Sequence, residues 1–557
     1  MIKFINIFIL ILILPKIILT YDFLFSVIIS IYNTGRYLKE SIESVLNQSI
    51  NKEKIQIILV NDGSIDETEE ICLNYKEQYP KNIIYIKIVH SGVCKARNIG
   101  MEHAKGEFIN FLDSDDKWDK KAFEYVLLFF RHNKGINIVG CRLIFFEAKL
   151  SGHPLDYKFY RTRVVNLTEE YNCIHLSSSS SFFRYSLIKN QKFKEGVITG
   201  EDNRFINNFL LIDPLLGIIK EAIYYYRKRE DSTSTVQNQI KNPEFYFPVL
   251  KTVNEYLIEK SKQLYNKIAP FIQFLLAYDI LFRIASPSQK YLKKTELERY
   301  CEKIECMLKQ IDDKYILEQK ILSVKEKIIA LSKKYNRDIR NDILFQDESF
   351  MYSRYVLLDL NKNRNFLELR IINIQNNQLY VEGKDNFILN RENYFFFCKL
   401  NGKVYEPDYY NFSGYDLIAI YDNFYKGRNV IFNIQLENLE YQILYFFMSY
   451  KNKEIEIKPS LGLFTHIPGV INGYYSSGEY ILKFIEGRLI IYQYKQNIKN
   501  YFEKQYCKEL LKRNKKNIIN LRKIYFKSQK ENKNNKLETW IINDKQNLAR
   551  ENGEYFF

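Results

Sequence analysis

Gly106-Glu107-Phe108-Ile109-Asn110-Phe111-Leu112-Asp113-Ser114-Asp115-Asp116 is the stretch that decides how this chain folds. Phe108 to Leu112 is a short apolar run of the kind that forms a buried strand. Three carboxylates follow it at once. Like charges repel, so a cluster of this kind needs compensation. A divalent cation would supply it, because Mg²⁺ or Mn²⁺ takes hard oxygen ligands and keeps phosphate oxygens in its shell. An acidic turn capping the next helix would also account for the pattern. The residues alone leave both accounts open.

Working outward, Phe25 to Ser30, Ile55 to Val60 and Ile83 to Val89 are further strand-like runs rich in β-branched residues. Between them lie helical patterns. Leu38, Ile42, Val45 and Leu46 recur at helical spacing, and Asp66 reads as an N-cap followed by Glu67, Glu69 and Glu70 in a first turn. Strands alternating with helices predict a mainly parallel sheet covered on both faces. Ligands of such sheets bind at the carboxyl ends of the strands, where Asn61-Asp62-Gly63-Ser64 and Asp113 to Asp116 fall.

Four segments stand in order: Ser26-Val-Ile-Ile-Ser-Ile-Tyr-Asn33, Val60-Asn-Asp-Gly-Ser64, Gly92-Val-Cys-Lys-Ala-Arg-Asn-Ile-Gly100, and Gly106 to Asp116. The series closely resembles the family 2 glycosyltransferases of the GT-A fold, over about 22 to 240. The resemblance implies a Rossmann-like α/β domain that binds a nucleoside diphosphate sugar, a UDP-sugar above all, with Mn²⁺ or Mg²⁺ on its pyrophosphate. Carried over residue by residue, it puts Ser30, Tyr32 and Asn33 at the nucleoside pocket and Asp62 under the base. Arg97, Asn98, Asp113 and Ser114 fall near the donor. Asp115, with Asp113, would hold the metal, Asp116 being a second choice to Asp115. Two positions depart from the family pattern: Ser30 stands where Pro is frequent, and Cys94-Lys95 where small residues are usual. Neither removes a charged group.

Phe193-Lys-Glu-Gly196 and Gly200-Glu-Asp-Asn-Arg-Phe205 resemble the family's Glu-Asp element. An inverting transfer needs one base to deprotonate the acceptor hydroxyl. The resemblance assigns that task to Asp202, with Glu201 beside it; as an isolated pair the two would read as a helix N-terminus. Tyr224-Tyr-Tyr-Arg-Lys-Arg-Glu-Asp-Ser-Thr-Ser234 resembles the family's closing segment. It places Arg227 and Arg229 where cations could offset the charge of a leaving diphosphate, or simply on a basic strand edge. Ser177 to Ser181 reads as a polar turn or as part of an acceptor groove.

With 557 residues the chain is long enough for several domains. The expected division is a hydrophobic segment (1–21), a GT-A domain (22–240), a helical region (241–345), a β-sandwich-like domain (346–495), and a basic helical tail with a truncated C-terminal segment (496–557). Apolar residues at 46% and charged residues at 27% describe globular protein and exclude collagen-like, coiled-coil and low-complexity classes. Eight scattered cysteines with no CxxC pair argue for free thiols, against a disulfide framework or a zinc site. Phe4 to Leu19 is nearly all apolar but broken by Pro15 and Lys16. It reads as a membrane-touching segment, a hydrophobic extension packed on the first domain, or a signal or anchor.

The net charge is +16, and 13 Lys or Arg against three Glu fall between 499 and 536. That stretch reads as a solvated amphipathic helix, a lipid-headgroup contact or a phosphorylated-polymer contact. No nucleic-acid motif accompanies it. Leu537 to Phe557 resembles the opening of a poly(glycerol-phosphate) glycerophosphotransferase domain. The expectation is therefore a metal-dependent, inverting glycosyltransferase. It would extend a surface glycan (capsule, lipopolysaccharide or teichoic-like polymer) on a glycan or lipid-linked acceptor. It would work in the cytoplasm or at the cytoplasmic face of the inner membrane. The rival readings are a fragment of a bifunctional glycosyl and glycerophosphate polymerase, and a glycan-binding scaffold with an inert transferase fold.

Overall fold

A computed structural model describes residues 21–493 apart from 198, 230–240, 242–244, 287–290, 322, 348, 360–365, 386, 388, 390, 412–427, 462–474 and 478–479. Residues 1–20 of the hydrophobic segment expected at 1–21, and the whole of the tail expected at 496–557, lie outside the described residues. The chain divides into two compact units, Met1–Leu322 and Ser323–Phe557.

The first unit is built on one ten-stranded sheet. Strands β1 (Phe23–Ile31), β2 (Ile55–Asn61), β3 (Ile83–Lys87) and β4 (Gly106–Asp113) are the four runs anticipated from the sequence, all parallel. Helices α1 (Gly35–Leu46), α2 (Thr68–Gln78) and α3 (Val93–Glu102) connect them. All seven residues of β2 are buried, as a central strand covered on both faces requires. On α1, Leu38, Ile42 and Val45 form the buried stripe.

Beyond β4 the sheet becomes mixed. It continues with β5 (Lys117–Trp118), β6 (Ile138–Glu147), β7 (Ser151–Gly152), β8 (Arg163–Asn166), β9 (Ser181–Arg184) and β10 (Leu215–Lys228). The order is β3-β2-β1-β4-β9-β6-β10-β5, with β9 antiparallel to both β4 and β6. The chain leaves β2 in one direction, through β3, and returns to the other side of β1 as β4. That reversal opens a crevice at the carboxyl ends of β1 and β4, where Ser30 pairs in register with Asp113.

Helix α4 (Ala122–His132) packs on β10, and α5 (Glu201–Leu210) carries the Glu-Asp pair. Helices Tyr256–Tyr265, Pro270–Ala285, Lys294–Leu308 and Asp313–Leu317 follow in this unit.

The second unit opens with helix Val324–Tyr335 and continues in strands from Leu344 onward. A five-stranded and a seven-stranded sheet, antiparallel apart from the pairing of Leu367–Gln375 with Ser460–Leu461, form its bulk. In strand Tyr441–Tyr450, Gln442, Leu444, Phe446, Met448 and Tyr450 are buried in strict alternation. Phe446 meets Phe432 of the other sheet at a ring distance of 6.0 Å, so the two inner faces pack as a sandwich does.

Candidate active site

The crevice at the carboxyl edge of the first unit holds a cavity of about 1180 Å³. Of the residues anticipated from sequence, Ser30, Tyr32, Asp62, Arg97, Asp113, Ser114, Asp115, Glu201, Asp202 and Arg229 line it. Asn33, Asn98 and Arg227 are not among the lining residues.

Arg97 organises the cavity floor. It projects from α3 and is almost fully buried. Its Nη2 donates to Asp113 Oδ1 at 2.9 Å, and its Nη1 to Asp202 Oδ1 at 2.7 Å and Glu201 Oε1 at 3.2 Å. Burial disfavours its charge, but Asp202, Asp113 and Glu201 outweigh that and hold its pKa above the usual arginine value. Burial raises the Asp113 carboxyl, Asp202 and Asp115 add to the rise, and Arg97 opposes it. Burial, then the charge of Asp202, pushes Glu201 up to about 7.

The serine run Ser177–Ser181 fixes both carboxylates. Ser178 donates its backbone N–H to Asp202 Oδ2 at 3.0 Å and its hydroxyl to Asp202 Oδ1 at 2.6 Å. Ser179 Oγ donates to Asp113 Oδ2 at 2.7 Å. Gly200, at φ +80°, turns the chain into α5, so that Glu201 and Asp202 occupy its first turn beside the positive end of the helix dipole. The pair thus stands at a helix N-terminus and on the cavity wall at once.

The acidic cluster after β4 splits in two. Asp115 faces the cavity, where Arg229 Nη2 and Nε donate to its Oδ2 at 2.6 and 3.0 Å. Asp116 turns inward instead, accepting from Tyr224 Oη at 2.6 Å and from the Arg227 N–H at 2.7 Å. Burial, then Asp115 and Asp113, raises its carboxyl well above the usual range. Asp116 thus ties the end of β4 to β10 and cannot substitute for Asp115 at the cavity. The capping account of the cluster fails: helix α4 begins at Ala122, and Asp119 Oδ1 serves the Lys121 N–H just before it.

Three anticipated donor contacts are placed elsewhere for local reasons. Arg227 is buried between the rings of Tyr37 and Phe146 and paired with Glu40 and Glu147. Asn98 exchanges two hydrogen bonds with the backbone of Phe193, which anchors the loop before α5. Asn33, at φ +49°, accepts from the Ile65 N–H and so holds two loops together.

Several lining residues escaped the sequence reading, among them Phe145, His153, Lys158 and His90. His90 stacks on Tyr32 with ring centroids 4.1 Å apart and an interplanar angle of 23°, and its Nδ1 lies 3.0 Å from Asp62 Oδ2. Asp62 also accepts from the N–H groups of Ser91 and Gly92 at 2.7 and 2.9 Å. The only signal in the sequence was a histidine, one of six, just beyond a strand at the ligand-binding edge.

Hard oxygen donors are present for a divalent cation. Among the described residues no group of three or more His, Cys, Asp or Glu forms a metal cage. One or two carboxylates, completed by phosphate oxygens and water, are the set that Mg²⁺ or Mn²⁺ takes beside a diphosphate. Asp115 and Asp113 fit that set.

A sheet of this order, with a carboxylate-lined cavity at the carboxyl ends of β1 and β4, is the GT-A fold of glycosyltransferases. Residues 26–191 match the model of glycosyl transferase family 2. The chain belongs to that family and is a glycosyltransferase. It is 36% identical over 328 residues to the minor teichoic acid biosynthesis protein GgaA of Bacillus subtilis (strain 168), covering 57% of this chain and 74% of that protein. Minor teichoic acid biosynthesis protein GgaB of the same strain is 29% identical over 97% of this chain, which spans 61% of GgaB. The crystal structure of S. aureus TarS aligns with a TM-score of 0.48 and 15% identity, covering 85% of this chain and 86% of that one.

Proposed function

We propose that this glycosyltransferase moves a hexose-type sugar from a nucleoside diphosphate donor, UDP-linked, to a hydroxyl of a growing teichoic-type surface polymer, with inversion. The observation that carries the reading is the Arg97 bridge. One guanidinium holds Asp113, at the end of β4, and Asp202, in α5, at the same cavity. Donor-side and acceptor-side carboxylates are thereby set in one place before substrate arrives. The names of GgaA and GgaB support a teichoic-type acceptor.

In this mechanism the ring of Tyr32, backed by His90, takes the base, and Asp62 orients it. Asp115 and Asp113 would hold the divalent cation, which when bound neutralises charge on the diphosphate. Arg229 exchanges its contact with Asp115 for the leaving diphosphate, where a fixed cation stabilises the developing charge. Asp202 Oδ2 accepts only the Ser178 N–H among the described residues and has a lone pair to spare. It takes the proton of the acceptor hydroxyl as that oxygen bonds to the anomeric carbon. The bond from the anomeric carbon to the phosphate oxygen breaks at the same time, and the nucleoside diphosphate departs with the electron pair.

Nucleotide sugars are cytoplasmic, so the reaction belongs on that side of the membrane. Among the described residues no helix is long and apolar enough to cross a membrane. Fractionation of a chain lacking residues 1–20 tests membrane attachment, and unchanged membrane recovery rejects an anchoring role for that segment. For the chemistry, a panel of nucleotide sugars is screened for hydrolysis with and without Mn²⁺ or Mg²⁺, and the anomeric configuration of the product is read by NMR. Stimulation with one donor and an inverted product support the reading. Absence of turnover with every donor would reject it in favour of an inert, glycan-binding fold.

A further inference from the structure

Lys158 and His175 are buried beside the serine run, each 3% exposed, and neither takes part in the transfer chemistry. A Cβ at Gly140, on β6, would come within 2.8 Å of the His175 ring, so a glycine there seats the imidazole. Lys158 Nζ donates to the Ile174 carbonyl and lies 3.1 Å from His175 Nδ1. His175 Nε2 lies 2.7 Å from Ser181 Oγ, which donates to the Ser177 carbonyl at 2.6 Å. These groups form one chain. Its far end is the peptide unit whose N–H, that of Ser178, donates to Asp202 Oδ2 at 3.0 Å.

Burial, then Lys158 and His153, pushes the His175 imidazole well below its usual range, against the Ser177 carbonyl; the ring is neutral and carries one N–H. Burial lowers the Lys158 amine to about 7, against Cys173 and Asp156, which raise it. An ammonium only donates, so Nδ1 accepts from it and the ring proton sits on Nε2. That N–H donates to Ser181 Oγ, and the Ser181 proton goes to the Ser177 carbonyl. Every link then runs in one direction, the arrangement in which hydrogen bonds polarise one another. A peptide unit is planar and trans, so fixing the Ser177 carbonyl fixes the direction of the Ser178 N–H. That N–H meets the oxygen that takes the acceptor's proton. From the β4 side, Asn110 Nδ2 holds the Ser179 and Ser181 carbonyls at 2.8 Å, while this chain holds the Ser177 carbonyl. We propose that Lys158 and His175 are positioning residues: through Ser181 they aim the Ser177–Ser178 peptide at Asp202. The proposal rests on the reading of Asp202 as the base.

The test uses the full chain. Lys158→Met, His175→Leu and Ser181→Ala each cut the relay, whereas His175→Gln keeps an N–H donor toward Ser181. UDP affinity, read by calorimetry, should hold in these variants. In metal-stimulated hydrolysis of the nucleotide sugar that the unaltered protein turns over, water takes the acceptor's place. There kcat should fall about 10–100-fold in the cutting variants with donor KM held, and recover in His175→Gln. Members of one relay act in series, so Lys158→Met added to Ser181→Ala should lower kcat no further. ¹⁵N NMR of histidine-labelled protein, on the acid side of Lys158, should show the His175 proton on Nε2, the signal being assigned by its loss in His175→Gln. Ser181→Ala, the smallest change, is decisive where a larger one unfolds the domain. A proton on Nδ1, additive losses, or a fall in UDP affinity in Ser181→Ala would overturn the proposal. Turnover with kcat unchanged in Ser181→Ala rejects the positioning role alone. Absence of turnover with every nucleotide sugar in the unaltered protein rejects the transferase reading and the role together.

Discussion

The buried guanidinium of Arg97 donates to Asp202 Oδ1 at 2.7 Å, joining residues 105 positions apart in sequence. Through its other nitrogen it also holds Asp113, so its geometry bears on both halves of the reaction.

Arg97→Ala should therefore be costly twice over. It leaves three carboxylates crowded and unpaired, an effect of about 3–5 kcal/mol when one partner of a buried ion pair is removed. Arg97→Lys keeps the charge but not the fork. It should retain more stability than Arg97→Ala and still lose most transfer. Denaturant midpoints and transfer rates on the same preparations check this, and full activity in Arg97→Lys would refute the bridging role.

Asp202→Asn and Asp115→Ala should fail in different ways. The first removes the proton acceptor and should lower transfer by about 10²–10⁴-fold with donor binding retained. The second should abolish metal-stimulated donor hydrolysis. Near-normal transfer by either purified variant would remove its assigned role.

Tyr32 and His90 should govern donor affinity and leave the chemical step alone. Stacking against a base contributes about 1–3 kcal/mol. His90→Ala removes the ring that backs Tyr32 and should raise the donor KM about tenfold with little change in kcat. A fall confined to kcat would contradict this placement.

Glu201 makes stability depend on pH with a definite sign. Its carboxyl ordinarily titrates near 4.5 and is raised to about 7 in the folded protein. Between those values the folded state binds more proton than the unfolded state, so stability falls as pH rises from about 4.5 through about 7. Glu201→Gln should flatten that part of the slope. Trp118 fluorescence in a Trp540→Phe chain reports unfolding of the first unit, and an unchanged slope would count against the raised carboxyl.

Tyr224→Phe should cost about 0.5–1.5 kcal/mol without changing donor turnover, because it removes a hydrogen bond to Asp116 away from the cavity. Asp116→Ala should cost more, about 1–3 kcal/mol, since it strands the Tyr224 hydroxyl and the Arg227 N–H. Equal loss of stability and of metal-stimulated hydrolysis in Tyr224→Phe would show that Asp116 acts at the cavity.

The strands were legible because their information is local. An apolar run such as Ile55 to Val60 declares a buried strand whatever it pairs with, and the residue after it lies at a strand end. That was enough to put Asp62, Asp113 and Asp115 at one edge of a parallel sheet. The antiparallel β9 was not legible, because its four residues carry no periodicity and its register depends on partners 40 and more positions away. Neither was the parting of Asp115 from Asp116, adjacent and chemically alike. Tyr224 and the Arg227 N–H draw one inward, while the other faces the cavity.

The same holds for the arginines. Arg227 and Arg229 looked equivalent in a basic segment, and both lie over the Tyr37 ring; yet β10 ends at Lys228, so Arg227 is held within the strand between two rings while Arg229, just past its end, lines the cavity. By itself, then, the sequence determined the kinds of groups present and the sheet edge on which they gather. Only the tertiary structure decided which charge meets which. Ion pairing acts over a few ångströms, and the folding of distant segments sets those distances.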